Sequence, residues 1–192
     1  MTLQVSEDIE LRPVVEEDAK PMFALVDANR AYLRQWLPWL DGNTEVEHTR
    51  GFIKLSIEQR EQNLGMACGI WFRRELCGVI GFHKIDWMNK NVELGYWIEE
   101  NSQGKGIVTR SCQRMIDYAF DEWKLHRVQI RCATENPKSC AIIERLELKF
   151  EGVARGAEFL YDRYVDLNVY AIRDFEWRLI QKRKLERTVE ID

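Results

Sequence analysis

Residues that bind metals or form disulfide frameworks are few in this sequence. Its three histidines, His48, His83 and His126, are far apart, and none has a second ligand at the spacing that a metal site requires. Its five cysteines are an odd number and include no CxxC pair. We therefore expect no metal and no disulfide framework, and we predict buried free thiols in a reducing compartment.

Net positive charge and long apolar runs are also lacking. The formal net charge of -4 provides no general electrostatic attraction for nucleic acid. No signal peptide is visible, and no apolar run is long enough to span a membrane. These absences predict a cytoplasmic protein that contacts neither nucleic acid nor a membrane directly.

No internal repeat, low-complexity segment or linker divides the chain. Its length of 192 residues is typical of one globular domain. Its composition, 45% hydrophobic and 31% charged, is also typical of a globular protein. We predict a single domain over residues 1–175 and a charged helical extension over residues 176–192, with a disordered tail beyond Leu185.

Hydrophobic periodicity predicts the order of the secondary structure. This order indicates an α/β (α+β) fold with a mixed central sheet of about seven strands and helices on both faces. The predicted strands are residues 9–13, 66–72, 76–85, 92–98, 126–134, 150–156 and 163–172. The predicted helices are residues 16–29, 44–63 with a capping box at Thr44 and Glu47, a helix after Gly106, 137–146 and 175–185.

The stretch over residues 92–120 joins a predicted strand directly to an amphipathic helix through Gln103-Gly104-Lys105-Gly106. The first N–H groups of a helix lack intrahelical acceptors, and glycines let the backbone come close to a bound group. We therefore predict a site for phosphate or pyrophosphate, with an ordinary strand-to-helix turn as the alternative. The pattern GxxxxGK[ST] is absent and GxGxxG lacks its third glycine, so neither usual nucleotide loop is present.

A second motif, Asn136-Pro137-Lys138-Ser139, opens the predicted helix 137–146. The side-chain amide of Asn136 can both donate hydrogen bonds to a ligand and accept them from it. The alternatives are a turn-forming role for Asn136 and a helix N-cap role for Ser139.

These motifs resemble those of the GNAT acyltransferase superfamily. Residues 101–106 resemble its acetyl-coenzyme A loop, [QR]-x-x-G-x-[GA], with Asn101 at the first position. Residues 136–139 and 143–152 resemble the second coenzyme A motif of the RimJ/RimL branch. They depart from it at Glu147 and Leu148, where the branch usually has Gly and Phe, so we expect a changed local turn there. With Asp162 to Leu167 as an end motif, the resemblance covers nearly the whole chain.

The resemblance implies a GNAT fold with acetyl-CoA as cosubstrate. Backbone amides of residues 103–109 would hold the pyrophosphate, and Asn136 the pantetheine amides. A backbone N–H near Trp97 or Ile98, where the central strand parts from its neighbour, would stabilise the oxyanion. Lys105 and Arg110 either add positive charge or are solvated. The implied cofactor-binding residues are Trp97, Ile98, Gln103, Gly104, Lys105, Gly106, Ile107, Val108, Thr109, Asn136 and Ser139.

Acetyl transfer to an amine by direct attack requires a base, a stabilised oxyanion and a proton for the leaving thiolate. In RimL-like enzymes the matching position implies Glu158 as the base, which we place in the loop between the last two strands. Ser139 matches the proposed acid, and Glu93 is the rival base. Either glutamate has a plain alternative as a solvated or structural side chain.

The acceptor is the least determined part. The most aromatic stretch holds Tyr32, Trp36, Leu37 and Trp39, which we interpret as a substrate wall, with a core or an interface of a homodimer as alternatives. The RimJ/RimL resemblance implies that the acceptor is the N-terminal α-amine of a protein, specifically a ribosomal protein. The other hypotheses are a small amine, such as a polyamine or an aminoglycoside, and a non-catalytic coenzyme A-binding module.

Overall fold

The structure, a computed structural model, describes residues 2–189. The strands in this range are Leu3–Ser6 (β1), Ile9–Pro13 (β2), Met66–Phe72 (β3), Glu75–Phe82 (β4), Asn91–Ile98 (β5), Arg127–Ala133 (β6), Lys149–Leu160 (β7) and Arg163–Arg173 (β8). The α-helices are Ala19–Ala28 (α1), Arg30–Leu33 (α2), Val46–Glu61 (α3), Ile107–Asp121 (α4), Pro137–Arg145 (α5) and Asp174–Val189 (α6).

The strands form one mixed sheet in the order β1-β2-β3-β4-β5-β6-β8-β7. Eight strands are present where about seven were predicted, because the short strand β1 pairs with β2 ahead of the first predicted strand. Helices cover both faces: α4 packs on one, and α1 and α3 pack on the other. The predicted fold class is confirmed.

Strands β5 and β6 form a parallel pair that is unusually short. Only Asn91, Val92 and Glu93 of β5 pair with β6. On its other side, β5 pairs with β4 up to Ile98. The five residues of β5 after Glu93 therefore have a neighbour on one side and a gap on the other, as the family resemblance implied.

Two helix starts differ from the prediction. Residues 16–18 form a 3₁₀ turn before α1, so the predicted helix 16–29 is not one continuous helix. The predicted capping box is wrong: the N-cap of α3 is Glu45, which makes no side-chain cap hydrogen bond. The N–H of Thr44 instead donates to Nδ1 of His48 at 3.3 Å.

The chain reverses after α5 at Glu147, which has φ 61°. This left-handed conformation favours glycine, yet here a glutamate adopts it. Its carboxylate lies 3.0 Å from Nη2 of Arg183 on α6. The left-handed turn is therefore made without glycine.

Helix α6 packs on the body of the protein. Trp177 and Ile180 are buried in the largest hydrophobic cluster, and the Trp177 indole donates to Oδ1 of Asp117 on α4 at 2.7 Å. The helix continues beyond the predicted end at Leu185 to Val189. The remainder of the predicted disordered tail, residues 190–192, lies outside the described residues.

All five cysteines are buried and free, as predicted. Within residues 2–189, no helix combines the length and the apolar character needed to cross a membrane. Over the same residues, no three His, Cys, Asp or Glu side chains gather into a group that could hold a metal ion.

Candidate active site

A main-chain cradle lies between β5 and α4. Gly104 and Gly106 have φ 72° and 69°, and Gly106 is the N-cap of α4 without a side-chain cap. Among the described residues, the N–H groups of residues 104–109 have no backbone acceptor. Because these donors lie at the positive end of the α4 dipole, the cradle is suited to an anion.

The cradle opens into a cleft of about 950 Å³ between α4 and α5. A Cβ on Gly104 would meet no atom of the described residues within 4 Å, so the space beside this glycine is open. The buried Nε2 of Gln103 has no hydrogen-bond partner among the described residues. The open space beside Gly104 fits a phosphate-bearing ligand. The predicted residues that line this cleft are Ile98, Gln103, Gly104, Gly106, Ile107, Val108 and Thr109.

Cationic side chains surround the cradle at different distances. Nη2 of Arg110 donates to the carbonyl of Lys105 at 3.1 Å, which holds the guanidinium beside the cradle. Nζ of Lys138 on α5 donates to Oε1 of Gln103 at 2.8 Å. Lys105 itself lies outside the cleft lining, with Nζ 5.6 Å from the centre of the Phe72 ring. Arg110, Lys138 and Arg145 line the cleft and supply positive charge to it.

A second cavity, of about 940 Å³, lies on the face of the sheet covered by α1 and α3. Trp36, Leu37 and Trp39 line it, whereas Tyr32 does not. Tyr32 instead lies near α5, with its ring centre 5.8 Å from Nζ of Lys138. Three of the four residues of the predicted aromatic wall therefore lie at this cavity. At the gap between β5 and β6, the lining consists of Glu93, Arg131, Asn136, Ser139 and Glu158.

Glu158 belongs to strand β7, so its predicted place in a loop is wrong. The β7–β8 register shifts between Ala154 and Glu158, and Glu158 pairs with Val165. Directly paired residues share a face of the sheet, and Val165 is buried. The bulge therefore directs Glu158 into the cavity, as bulges beside active sites often do.

The two candidate bases have different environments. Oε2 of Glu93 lies 2.8 Å from Nε of Arg131 and accepts from Nε2 of Gln129 at 3.1 Å. Glu158 has no hydrogen-bond or ion-pair partner among the described residues. Burial raises the pKa of Glu158; the Arg131 charge opposes this rise and the Glu93 charge adds to it. Glu158 is therefore the free carboxylate of the two.

Asn136 and Ser139 meet at the start of α5. Asn136, rather than Ser139, is the N-cap, and its Oδ1 accepts from the N–H of Ser139 at 3.1 Å. The Ser139 Oγ lies 3.0 Å from the hydroxyl of Tyr96 on β5. Burial raises the pKa of Tyr96 well above its ordinary value, so this phenol stays protonated. Asn136 therefore caps α5, and the same helix start holds Ser139 at the cavity.

The backbone donors near the gap can be assigned from the β4–β5 ladder. Glu93 accepts from His83, and Glu99 donates to Cys77. Bonded and non-bonded pairs alternate along an antiparallel ladder, so the Trp97 N–H points to β4 and the Ile98 N–H to the gap. Of the two predicted oxyanion donors, Trp97 is therefore already paired. Its side chain still lines the cavity, 6.3 Å from Trp39 between ring centres.

Sequence reasoning missed Tyr96, Gln129 and Arg131. Arg131 and Gln129 alternate on β6, a pattern that the sequence shows, but their contact with Glu93 depends on the β5–β6 register. Tyr96 reaches Ser139 across 43 positions of sequence. No local pattern signals either contact.

The arrangement defines a class of protein. A main-chain anion cradle beside two parting strands, with a free carboxylate and a hydroxyl at the gap, is suited to transfer of an acyl group from a phosphate-bearing donor to an acceptor in the second cavity.

Comparison with known proteins identifies the family. The family model described as acetyltransferase (GNAT) domain matches residues 8–149. The ribosomal-protein-serine acetyltransferase of Escherichia coli (strain K12) is 35% identical over 170 residues, which are 88% of this chain and 95% of that protein. The chain belongs to the GNAT acetyltransferase family and is an N-acetyltransferase.

Solved structures agree with this assignment. The structure of RimL, a ribosomal L7/L12 alpha-N-protein acetyltransferase in complex with coenzyme A, is 31% identical with a TM-score of 0.88, covering 91% of this chain and 99% of that one. Its coenzyme A is linked to a cysteine by a disulfide. The microcin C7 self-immunity acetyltransferase MccE, in complex with acetyl-CoA and AMP, is 28% identical with a TM-score of 0.85, covering 88% and 94%.

Proposed function

We propose that this protein transfers the acetyl group of acetyl-CoA to the N-terminal α-amine of a protein, with a ribosomal protein as the acceptor. The observation that carries the proposal is the cavity at the β5–β6 gap, where the free carboxylate of Glu158 and the hydroxyl of Ser139 line the same space. One group can take a proton and the other can give one, as acetyl transfer to an amine requires.

The donor site is the cleft at α4. Backbone N–H groups of residues 104–109 and the charges of Arg110 and Lys138 suit a pyrophosphate. Relatives in complex with coenzyme A and acetyl-CoA support this ligand. Bound acetyl-CoA supplies a thioester carbonyl that an amine can attack directly.

Glu158 is the proposed base, and Glu93 has a supporting role. Two donors already occupy Oε2 of Glu93, whereas Glu158 is unpaired and its pKa is raised by burial. A base works best when its pKa is close to the working pH, which favours the raised glutamate. The task is modest because an α-amine has a reference pKa of roughly 7.7–8.0 and is partly neutral at pH 7.

Ser139 is the proposed donor to the departing sulfur. The protonated Tyr96 can donate to Oγ of Ser139, which leaves the serine hydrogen free to point into the cavity. The N–H of Ile98 is the proposed oxyanion donor, because it faces the gap. One proton leaves the amine for Glu158, one passes from Ser139 to sulfur, and solvent restores both groups.

An acetyl-cysteine intermediate is not part of the proposal. Cys132 lines the cavity, but burial and its neighbour Cys140, whose sulfur is 2.8 Å away, raise the Cys132 pKa far above its ordinary value. A thiol, unlike a thiolate, is a poor nucleophile. Direct attack by the amine therefore suits this cavity better.

The proposed identity of the acceptor is supported by the relatives. RimL is a ribosomal L7/L12 alpha-N-protein acetyltransferase, and the Escherichia coli relative acts on a ribosomal-protein serine by its name. With an acceptor of that kind, the proposed site of action is the cytoplasm. The residues of the aromatic wall, Trp36, Leu37 and Trp39, would contact the first side chains of the acceptor.

An acceptor panel tests the proposal. Peptides with free N-termini, the same peptides blocked at the N-terminus but carrying lysine, spermidine and an aminoglycoside are offered with acetyl-CoA, and thiol release is followed. We expect turnover with the free N-termini and little with the other acceptors. Turnover confined to spermidine or the aminoglycoside would replace the proposed acceptor, and binding of acetyl-CoA without any turnover would contradict the proposal altogether.

A further inference from the structure

Asn43 is a buried polar residue in the wall of the acceptor cavity. It follows a 3₁₀ turn over residues 40–42 and precedes α3. Only 8% of its surface is exposed, and it lines the same cavity as Trp39 and Glu158. A buried amide must place each of its donors and acceptors somewhere, so its hydrogen bonds can be counted.

Three of its polar groups have partners within the protein. Its backbone N–H donates to the Leu40 carbonyl at 3.1 Å. Its backbone carbonyl accepts from Nη2 of Arg30 at 2.7 Å. Its Oδ1 accepts from the hydroxyl of Thr49 at 3.0 Å, and Thr49 is itself 3% exposed.

The remaining group is the side-chain nitrogen. Nδ2 of Asn43 has no partner among the described residues, and it is not among their solvent-excluded unpaired atoms, so it remains accessible. Because the Thr49 hydroxyl occupies Oδ1, the amide is held with its two N–H donors on the other side. In a residue that lines the cavity, these donors are available to an acceptor molecule.

We infer that Asn43 is a specificity-determining residue, which binds a backbone carbonyl oxygen near the N-terminus of a peptide acceptor. This inference rests on the proposed function and extends it. An NH₂ group donates only, so its complement is a ligand acceptor atom such as a peptide carbonyl. A protonated polyamine offers donors alone and would leave Nδ2 unpaired.

The physical consequence is discrimination between two classes of amine. A site that hydrogen-bonds a ligand group rejects analogues without that group, because its own buried polar atom is then left unsatisfied. Glu158 meets any amine, whether it comes from a peptide or from a polyamine. Asn43 can form its hydrogen bond only with an acceptor molecule that carries a carbonyl group near the amine.

The sharpest variant is Asn43→Asp, which keeps the oxygen that accepts from Thr49 and replaces only the NH₂ group. Two acceptors are compared: a short peptide, and the same peptide with its first carbonyl reduced to a methylene. For the wild type, we expect kcat/KM to favour the intact peptide by about tenfold, the size of one well-placed hydrogen bond. In Asn43→Asp, the intact peptide should lose about tenfold while the reduced peptide loses little, so that the preference disappears.

The matched control is Gln62→Glu, the same chemical change at an exposed position just after α3 and outside the cavity lining. It should keep the preference of the wild type. Calorimetry with acetyl-CoA checks that each variant is folded, because Asn43 lies outside the cleft at α4. Should Asn43→Asp fail to fold, Thr49→Val keeps the amide and removes its anchor, and it should weaken the same preference.

The outcomes separate the inference from the proposed function. A wild type that acetylates both peptides equally, or an Asn43→Asp variant that keeps the full preference, overturns the role of Asn43 and leaves the acetylation of N-termini standing. A wild type that acetylates spermidine but neither peptide overturns both.

Discussion

The two clefts of this protein are built in different ways. The cleft at α4 uses main-chain N–H groups from one run of the chain, residues 104–109. The acceptor cavity uses side chains brought together from α3, β5, β6, α5, β7 and the loop before α3. A contiguous main-chain site can be recognised in a sequence, whereas an assembled side-chain site depends on register and packing. Variants that affect one cleft and spare the other test this contrast.

The largest effect is expected in the acceptor cavity. Glu158→Gln removes the unpaired carboxylate, so kcat should fall by about 100-fold or more, the usual contribution of a general base. The Kd for acetyl-CoA, measured by calorimetry, should not change. Glu93→Gln is the matched variant and should lower kcat less. If Glu93→Gln has the larger effect and Glu158→Gln turns over normally, the two carboxylates have been assigned the wrong way round.

The next effect belongs to the cleft at α4. Gly104→Val places a branched side chain at φ 72° and projects it into the open cradle. We expect the Kd for acetyl-CoA to rise by at least about tenfold, from strain together with lost backbone approach. Gly51→Val is the control, since Gly51 lies exposed on α3 with open space around it. Unchanged affinity in Gly104→Val would argue against a main-chain cradle.

A smaller effect is expected at Tyr96. Tyr96→Phe removes the hydroxyl that contacts Ser139, and kcat should fall about three- to tenfold, as for one hydrogen bond. In a Ser139→Ala background the same change should have little further effect, because the two groups act together. Fully additive losses would mean that Tyr96 does not act through Ser139.

The pH dependence of kcat tests whether Glu158 is the base. Burial raises the pKa of Glu158, so kcat at saturating acceptor should fall as the pH drops through that raised pKa, where the base becomes protonated. The Arg131 charge lowers the same pKa, so Arg131→Met should move this acid limb to higher pH. Arg163→Met removes a cation paired with Glu135 away from the cavity lining and should leave the limb in place. A limb shifted to lower pH in Arg131→Met would contradict the assignment to Glu158.

The smallest effect is expected on stability, at a residue that lines neither cleft. Glu147→Gly removes the backbone strain of a glutamate in the left-handed region. It also removes the ion pairs of Glu147 and increases the conformational entropy of the unfolded chain, which both oppose the gain. The net gain in the free energy of unfolding should be about 0.5 kcal/mol. Glu147→Ala keeps the strain and loses the ion pairs, so it should destabilise the protein. Urea denaturation measures both, and a loss of stability in Glu147→Gly would show that the ion pairs outweigh the strain.

Local patterns were sufficient for much of the fold. The alternation in residues 126–134 and the strand, glycine and helix sequence over residues 92–120 depend on neighbours along the chain, and the structure agrees with both. The mistake that matters for the site arose where a partner is distant. Strand β7 was predicted to end at Gly156, but pairing with β8 carries it through a bulge to Leu160 and takes Glu158 with it.

The composition and order of residues alone determined the class of fold, the buried thiols and the position of the anion cradle, because each follows from periodicity or from contiguous backbone. Only the tertiary structure decided which glutamate is unpaired, which hydroxyl meets Tyr96 and which face of Asn43 is open. These features depend on hydrogen bonds between residues far apart in sequence. The register of the strands and the packing of the helices decide whether such bonds form.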